Sequence, residues 1–150
     1  MKKQIFLVVA LISSSLALAQ NYPDNLISVN AFRNPSVGLE YQKKQFSVHV
    51  GYYPTNFESG VTTEFVKSGV TYWFLATDKK DVPSSFYSGL SYLRGTSRDY
   101  KDVNAIGLEA GFRWYVWSGL NLRLGVIALA ADGKDLQINP TPSIGYSFKF

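Results

Sequence analysis

The chain has 150 residues, contains no cysteine, and carries 15 lysine and arginine residues against 11 acidic ones. The absence of cysteine excludes disulfide frameworks and thiolate metal sites, and the basic residues form no stripe of the kind that binds nucleic acid. Ten tyrosines and ten phenylalanines are a heavy aromatic load for a chain of only 46% hydrophobic content. Tyrosine and tryptophan rings favour places where one end is dry and the other wet, which include membrane interfaces.

The first nineteen residues have the order of a secretory signal peptide. Lys2 and Lys3 are followed by an apolar run over 5–11, three serines and the sequence Ala17-Leu18-Ala19. A basic start, a short apolar stretch and an A-x-A site direct export and cleavage, and the run is too short to span a bilayer comfortably. We therefore predict a signal peptide over 1–19, export through the Sec route, and one mature domain over 20–150.

Eight segments of the mature chain alternate apolar and polar residues, which is the period of a β-strand. They cover Leu26–Phe32, Ser36–Gln42, Gln45–Tyr53, Phe65–Ala76, Ser85–Gly95, Val103–Val116, Leu120–Leu129 and Thr141–Phe150. Arg33-Asn34-Pro35 and Trp117-Ser118-Gly119 are typical of tight turns, and Pro54 is expected to end the third strand. Longer loops are expected over 54–64, 77–84, 96–102 and 130–140. The sequence therefore predicts an all-β fold.

Each predicted strand has one bulky apolar face and one face of small, polar or charged residues. The second face comprises Ser28, Asn30, Gly38, Glu40, Gln42, Ser47, His49, Gly51, Lys67, Gly69, Thr71, Gly89, Ser91, Gly107, Glu109, Gly111, Asn121, Arg123, Gly125, Ser143, Gly145, Ser147 and Lys149. A soluble barrel needs an apolar interior, whereas a membrane barrel reverses the two faces. Because the interior of an eight-stranded barrel is small, we expect the small and polar face inside and the aromatic face in lipid.

The lengths of the predicted connections favour a membrane barrel whose C-terminus lies on the periplasmic side. The short turns at 42–45 and 117–119 fall on that side, with 77–84 as the one long exception, and the loops at 54–64, 96–102 and 130–140 fall outside. Outward aromatic residues crowd the periplasmic strand ends and predict an interfacial girdle. They are Tyr41, Phe46, Phe74, Phe86, Trp114, Phe148 and Phe150.

The leader, the alternation and the terminal segment Tyr146-Ser147-Phe148-Lys149-Phe150 together resemble the small eight-stranded outer-membrane proteins of Gram-negative bacteria, the porin-like or OmpA/OmpX-like barrel domain. The resemblance covers the whole mature chain and is one of architecture. It implies an eight-stranded antiparallel up-and-down transmembrane β-barrel in the cell outer membrane. It also implies that Tyr146, Phe148 and Phe150 form a C-terminal signal read by the barrel-assembly machinery during insertion.

The sequence offers few candidates for catalysis. With one histidine, no cysteine and no GxSxG, P-loop or GxGxxG motif, we expect no metal site, no cofactor and no enzymatic activity. His49 lies two residues from Ser47 on the same face, which resembles the His/Ser chemistry of barrel-type lipid A deacylases. Those enzymes act on lipid from the outer surface, whereas the alternation places both residues in the lumen. We therefore interpret His49 as a hydrogen-bonded interior histidine.

Charged residues on the inward face are expected to pair, because an isolated buried charge costs several kcal/mol. The predicted lumen charge network comprises Glu40, His49, Lys67, Glu109, Arg113, Arg123 and Lys149, with the two carboxylates as acceptors for the four lysines and arginines. Side chains just fill an eight-stranded lumen. We therefore expect the network to plug the barrel rather than to select ions in a pore.

These expectations combine into a non-enzymatic outer-membrane barrel with a structural, interaction or narrow porin-like role. Its partners would be outer-membrane lipid and, during insertion, the assembly machinery, and we expect a monomer that binds no nucleic acid. Two other classes stay open. One is an outer-membrane lipid-modifying enzyme of the lipid A deacylase type, and the other is a secreted soluble β-barrel that binds an apolar ligand.

Overall fold

A computed structural model of the protein describes residues 22–32, 37–58 and 61–150. The predicted signal peptide and the predicted turn at 33–35 lie outside the described residues. The strands are β1 Leu26–Phe32, β2 Val37–Lys43, β3 Phe46–Glu58, β4 Val61–Ala76, β5 Ser85–Gly95, β6 Asn104–Trp117, β7 Leu120–Ala131, β8 Gln137–Pro140 and β9 Ser143–Lys149, with a 3₁₀ turn at Arg98–Tyr100. Within these described ranges, no helix is both long and apolar enough to cross a membrane.

The strands form one antiparallel sheet that closes into a ring. From β1 to β7 each strand pairs with the next, and β9 pairs with both β1 and β7. Pro140 of β8 lies opposite Val126, and Ser143 of β9 lies opposite Arg123, so the register along β7 is continuous. β8 and β9 are therefore two parts of one eighth strand, interrupted where Pro140 and Pro142 lack ladder donors. The predicted all-β, antiparallel, up-and-down arrangement is confirmed.

The prediction that Pro54 ends the third strand is wrong, because β3 and β4 continue as a hairpin through most of 54–64. Pro54 lies opposite Glu64, whose carbonyl accepts from the Thr96 N–H at 2.8 Å and whose N–H donates to the Ser97 hydroxyl at 3.1 Å. Both backbone groups of Glu64 thus point away from β3. The missing donor of Pro54 therefore faces away from β4, so the proline removes no hydrogen bond of the β3–β4 ladder.

The last predicted loop is also shorter than expected. β7 continues to Ala131 and β8 begins at Gln137, so both strands extend into the range 130–140 that composition assigns to a loop. The other strands begin and end within two residues of the predicted bounds, and β1 and β5 match them.

Burial alternates along the strands, with the small and polar face inside. Every second residue of β2 is buried, and the same alternation holds through most of β6. Ser28, Asn30 and Asn121 are at most 1% exposed, whereas the outward Phe46 and Leu124 are about two-thirds exposed. The ring therefore encloses polar side chains and presents apolar ones on its outer surface.

We call the end of the barrel that holds Tyr22 and Phe150 the lower end, and the opposite end the upper end. The upper part of the interior is not small and polar as the alternation suggests, because a group of buried apolar side chains fills it. This upper apolar cluster comprises Tyr53, Phe65, Leu93, Tyr100, Ala105, Ile127 and Leu129, with Phe57 and Ala131 packed against it. The charged residues lie below this cluster, in the middle of the barrel.

Candidate functional site: the charged interior of the barrel

Five strands place charged or titratable side chains in the middle of the barrel. They are Glu40 from β2, His49 from β3, Lys67 from β4, Glu109 and Arg113 from β6, and Arg123 from β7. The strand register brings them together, since Glu40 lies opposite His49 and Arg113 lies opposite Arg123. They separate into two groups, one around Glu40 and one around Glu109.

The lower group has Glu40 between two arginines. Nη2 of Arg123 lies 2.8 Å from Oε2 of Glu40, and Nη1 of Arg113 lies 3.6 Å from Oε1. Arg113 and Arg123 are directly opposite on neighbouring strands, where like charges repel. Although the distances are those of ion pairs, the carboxylate oxygens accept no well-aligned hydrogen bond from the described residues. Charge attraction, rather than aligned hydrogen bonds, therefore holds Glu40 to the arginines.

Trp73 of β4 completes the lower group. The guanidinium carbon of Arg113 lies 3.5 Å from the centroid of the Trp73 ring, a close cation–π contact. Nη2 of Arg113 donates to Oε1 of Gln42 at 2.8 Å, and the indole N–H of Trp73 donates to the Ser47 hydroxyl at 2.9 Å. Arg113 is thus held by a carboxylate, an amide and an aromatic face together.

The upper group is a chain of hydrogen bonds that ends on an ion pair. Lys67 forms an ion pair with Glu109, and the Ser91 hydroxyl donates to Oε1 of Glu109 at 3.0 Å. Ser91 is 3.1 Å from Nε2 of His49, and Thr71 is 3.3 Å from Nδ1. Because Ser91 gives its hydrogen to the carboxylate, its oxygen accepts from the histidine. Nε2 of His49 therefore carries a hydrogen in this arrangement.

The structure does not join the two residues that suggested deacylase chemistry. The hydroxyl of Ser47 accepts from Trp73, and His49 bonds to Ser91 and Thr71 instead. Ser91 is close to the histidine, but activation of a serine nucleophile requires the serine hydrogen to point at the base. Here that hydrogen points at Glu109. No three His, Asp or Glu side chains among residues 22–32, 37–58 and 61–150 lie close enough to hold a metal ion.

Lys149 does not join the network, which corrects its predicted place in the lumen. Its side chain is about half exposed, and Nζ lies 3.1 Å from Oδ2 of Asp81. Lys149 is the last residue of β9, where the barrel wall ends, so its long side chain reaches the loop at 77–84 instead of turning inward. Among the residues that the structure describes, the interior therefore pairs three strong bases with two carboxylates.

Both ends of the barrel are covered by other parts of the chain. The upper apolar cluster lies above the charged groups, as described. At the lower end, the Lys44 N–H donates to the Pro23 carbonyl at 2.9 Å, and Nζ of Lys80 donates to the Tyr115 carbonyl at 3.0 Å. Tyr22 lies in the same region, and burial raises the pKa of its phenol. Glu40, Lys67, Glu109 and Arg113 are at most 9% exposed, so solvent hardly reaches the charged interior from either end.

The predicted C-terminal residues lie on the outer surface. Tyr146, Phe148 and Phe150 are between 44% and 69% exposed, and the Tyr146 and Phe148 rings are 4.9 Å apart. Other aromatic rings form a continuous row around the lower half of β3 to β6, with centroids 4.9 to 6.4 Å apart. The row runs Phe46, Tyr72, Phe74, Phe86 and Phe112.

No protein-family model, curated protein or solved structure matches this chain.

Proposed function

We propose that the protein is a monomeric, non-enzymatic β-barrel of the bacterial outer membrane, with a sealed lumen and a structural or interaction role. The observation that carries the proposal is the apolar outer surface of a closed barrel. Leu39, Val48, Leu108, Leu124 and Ile144 come from five different strands, and each is 45% or more exposed. Soluble monomers rarely expose apolar patches larger than a few hundred Å², whereas lipid is the natural solvent for such a belt.

The interior supports the same proposal. Four charged residues of the network, Glu40, Lys67, Arg113 and Glu109, are at most 9% exposed while leucines and valines line the outside. In water this distribution would be doubly unfavourable, because apolar area outside is not buried and charges inside are desolvated. In a bilayer the outer residues gain their proper solvent. The charges are then paired inside the lumen, where they are not exposed to hydrocarbon.

The short connections at the lower end give the proposed orientation, and the row of aromatic rings there marks an interface. Aromatic side chains concentrate at the two interfaces of membrane barrels, and their periplasmic turns are short. The two-residue connections Lys44–Gln45 and Ser118–Gly119 lie at the lower end with the C-terminus. We therefore place the lower end in the periplasm and the upper end outside the cell. Export by a signal peptide and reading of the C-terminal aromatics by the assembly machinery stay predictions.

The other candidate functions have less support from the geometry. A lipid-modifying enzyme needs a nucleophile that reaches lipid, and the Ser–His contact of this chain lies inside with Ser91 only 2% exposed. A soluble carrier of apolar ligands needs an empty apolar interior, and the apolar part here is filled by the upper apolar cluster. A porin-like role needs a continuous open lumen, whereas the upper apolar cluster and the buried charged groups fill this one.

Membrane fractionation followed by a heat-modifiability gel tests the proposal. We expect the protein in the outer-membrane fraction, and we expect unboiled samples to migrate differently from boiled ones because the closed barrel resists detergent. A protein found soluble in the periplasm, with the same mobility before and after boiling, would overturn the membrane barrel.

Single-channel recording of the same folded preparation separates the sealed lumen from a pore. The expected result is no large steady conductance for the wild-type protein. Glu109→Ala should open the lumen only slightly, because it frees Lys67 but leaves the upper apolar cluster in place. A large steady wild-type conductance would replace the structural role by a porin-like one.

A further inference from the structure

A cavity of about 310 Å³ opens at the upper rim of the barrel, outside the sealed interior. Three separate elements supply its walls: the β3–β4 hairpin, the 3₁₀ turn and the start of β8. The lining residues are Phe57, Val61, Thr63, Arg98, Asp99, Tyr100 and Gln137. Its volume is at the lower end of the range for small-molecule sites. We call this cavity the rim pocket.

The segment that carries Arg98 and Asp99 is held in a fixed shape. We call residues 96–103 the rim loop. Its ends are closed by hydrogen bonds between Gly95 and Val103 and between Asp102 and Gly95, each 2.9 Å long. Arg94 reinforces it through an ion pair of 3.0 Å with Asp102. The charged groups of the rim pocket therefore stand on a preformed loop, which lowers the entropy lost when a ligand binds.

The backbone of the rim loop is strained at two positions. Arg98 has φ 52° and Asp102 has φ 63°, in the left-handed region that residues other than glycine rarely adopt. Such conformations persist only where the surroundings fix them, and they cluster at ligand sites. Arg98 lines the wall of the rim pocket. Within the part of the chain that the structure describes, neither Arg98 nor Asp99 has an ion-pair partner.

The pocket combines hydrogen-bonding groups of every kind with an aromatic floor. A guanidinium only donates, a carboxylate only accepts, and the Gln137 amide does both. The Phe57 and Tyr100 rings are 5.0 Å apart and tilted by 44°. A sugar ring matches this set, because its hydroxyls both donate and accept while its C–H face is apolar. We propose that the rim pocket binds a neutral carbohydrate of one or two rings.

The charges favour a neutral ligand over an ionic one. Arg98 and Asp99 are adjacent and both exposed, so any charged ligand meets attraction and repulsion together. Charge-assisted hydrogen bonds from the planar guanidinium and carboxylate groups to vicinal hydroxyls are directional, so geometry rather than net charge selects the ligand. This proposal does not depend on membrane insertion; only the placement of the pocket outside the cell depends on the proposed function.

Saturation-transfer-difference NMR on the folded full chain tests the proposal with maltose, lactose, cellobiose and N-acetylglucosamine as probes. The detergent must carry no sugar headgroup, since a glycosidic detergent would compete for the site. We expect saturable binding of at least one probe. Arg98→Gln and Asp99→Asn should each weaken it about tenfold, because each removes one charge-assisted hydrogen bond, and a tenfold change in Kd is about 1.4 kcal/mol.

Lys101→Gln is the matched control, because Lys101 is exposed on the same loop but does not line the rim pocket. It should bind sugar like the wild type. A heat-modifiability gel on each sample confirms the fold, so loss of binding and loss of the barrel are distinguishable. The proposal is overturned if the folded wild type binds none of the probes, if the pocket variants bind them as the wild type does, or if only the zwitterion glycylglycine binds.

Discussion

At the scale of single residues, Glu40 is the carboxylate on which the lower group depends. Both arginines that face each other across β6 and β7 lie within 3.6 Å of it. Glu40→Gln would leave two buried cations side by side, and removal of one partner of a buried pair costs about 3–5 kcal/mol. We expect the free energy of unfolding, measured by urea titration in micelles with tryptophan fluorescence, to fall by that amount.

A matched pair of variants makes the Glu40 test specific. Asp135→Asn removes an exposed carboxylate and should change the free energy of unfolding by less than about 0.5 kcal/mol. The double variant Glu40→Gln/Arg123→Gln removes one cation together with the anion, so it should recover part of the lost stability. Equal stability of Glu40→Gln and the wild type would show that the arginines do not need this carboxylate.

The sequence predicted which residues face inward more reliably than it predicted their partners. Alternation and charge suffice to expect that Glu109 meets a base, and Trp73 shares the parity of Lys67 and Thr71 along β4, which places it on the inward face too. They cannot show that Trp73 lies against Arg113, because β4 and β6 are not neighbours and contact across the lumen depends on the stagger of all strands around the ring. The prediction for Lys149 was wrong for a related reason, because alternation does not show where the wall of the barrel ends.

At the scale of elements, strands were predicted best where both ends carry clear turn signals. β5 lies between the loop at 77–84 and the rim loop, and its bounds match the prediction. The upper ends of β3 and β4 were not predicted, because a proline inside a central strand usually removes a ladder hydrogen bond. Pro54 therefore indicates that the strand ends there. Its tolerance here depends on its place in the β3–β4 register, where it faces Glu64 without a ladder hydrogen bond, and no local pattern reveals that. The sequence also did not predict that Tyr100 contributes to the upper apolar cluster, because Tyr100 comes from a charged loop.

Gly95 is the position that lets the rim loop pack closely. A Cβ at this position would lie 1.7 Å from the carbonyl oxygen of Tyr100. Gly95→Ala should therefore displace the rim loop and withdraw Tyr100 from the upper apolar cluster. We expect faster trypsin cleavage after Arg98 and Lys101 in the folded protein, followed by mass spectrometry.

Gly133→Ala is the control for this test. Gly133 also lies in an upper connection, but a Cβ there meets no atom within 4 Å, so any strain from its φ of 69° stays local. Cleavage in the rim loop should be as slow as in the wild type. If Gly95→Ala is cleaved no faster than Gly133→Ala, the rim loop is not held in place by its contact with Gly95.

At the scale of the whole molecule, alternation alone cannot decide which face of a barrel meets water. A lipocalin-like barrel and a membrane barrel share the same period and differ only in which face is inside. The burial pattern decides here, because polar and charged residues fill the lower lumen together with Trp73, Tyr87 and Tyr115, whereas leucines and valines line the outside. The outer face then carries leucines, valines and aromatic rings on every side of the ring. Whether this face lies in lipid or in water is the question to test.

Two leucines with similar exposure and different positions answer that question. Leu108 is 62% exposed near the middle of β6, four residues above Phe112 of the aromatic row, and Leu136 is 62% exposed in the connection between β7 and β8. A lysine on the lipid face near the midplane costs about 2–4 kcal/mol, whereas near the interface it costs about 0–1 kcal/mol. If the belt lies in lipid, Leu108→Lys should lower the free energy of unfolding in phospholipid vesicles by the larger amount and Leu136→Lys by the smaller. In a soluble barrel both leucines would face water, and both substitutions would be nearly neutral. Equal and small effects of the two variants in vesicles would therefore contradict the membrane belt, even if the ring of strands itself is intact.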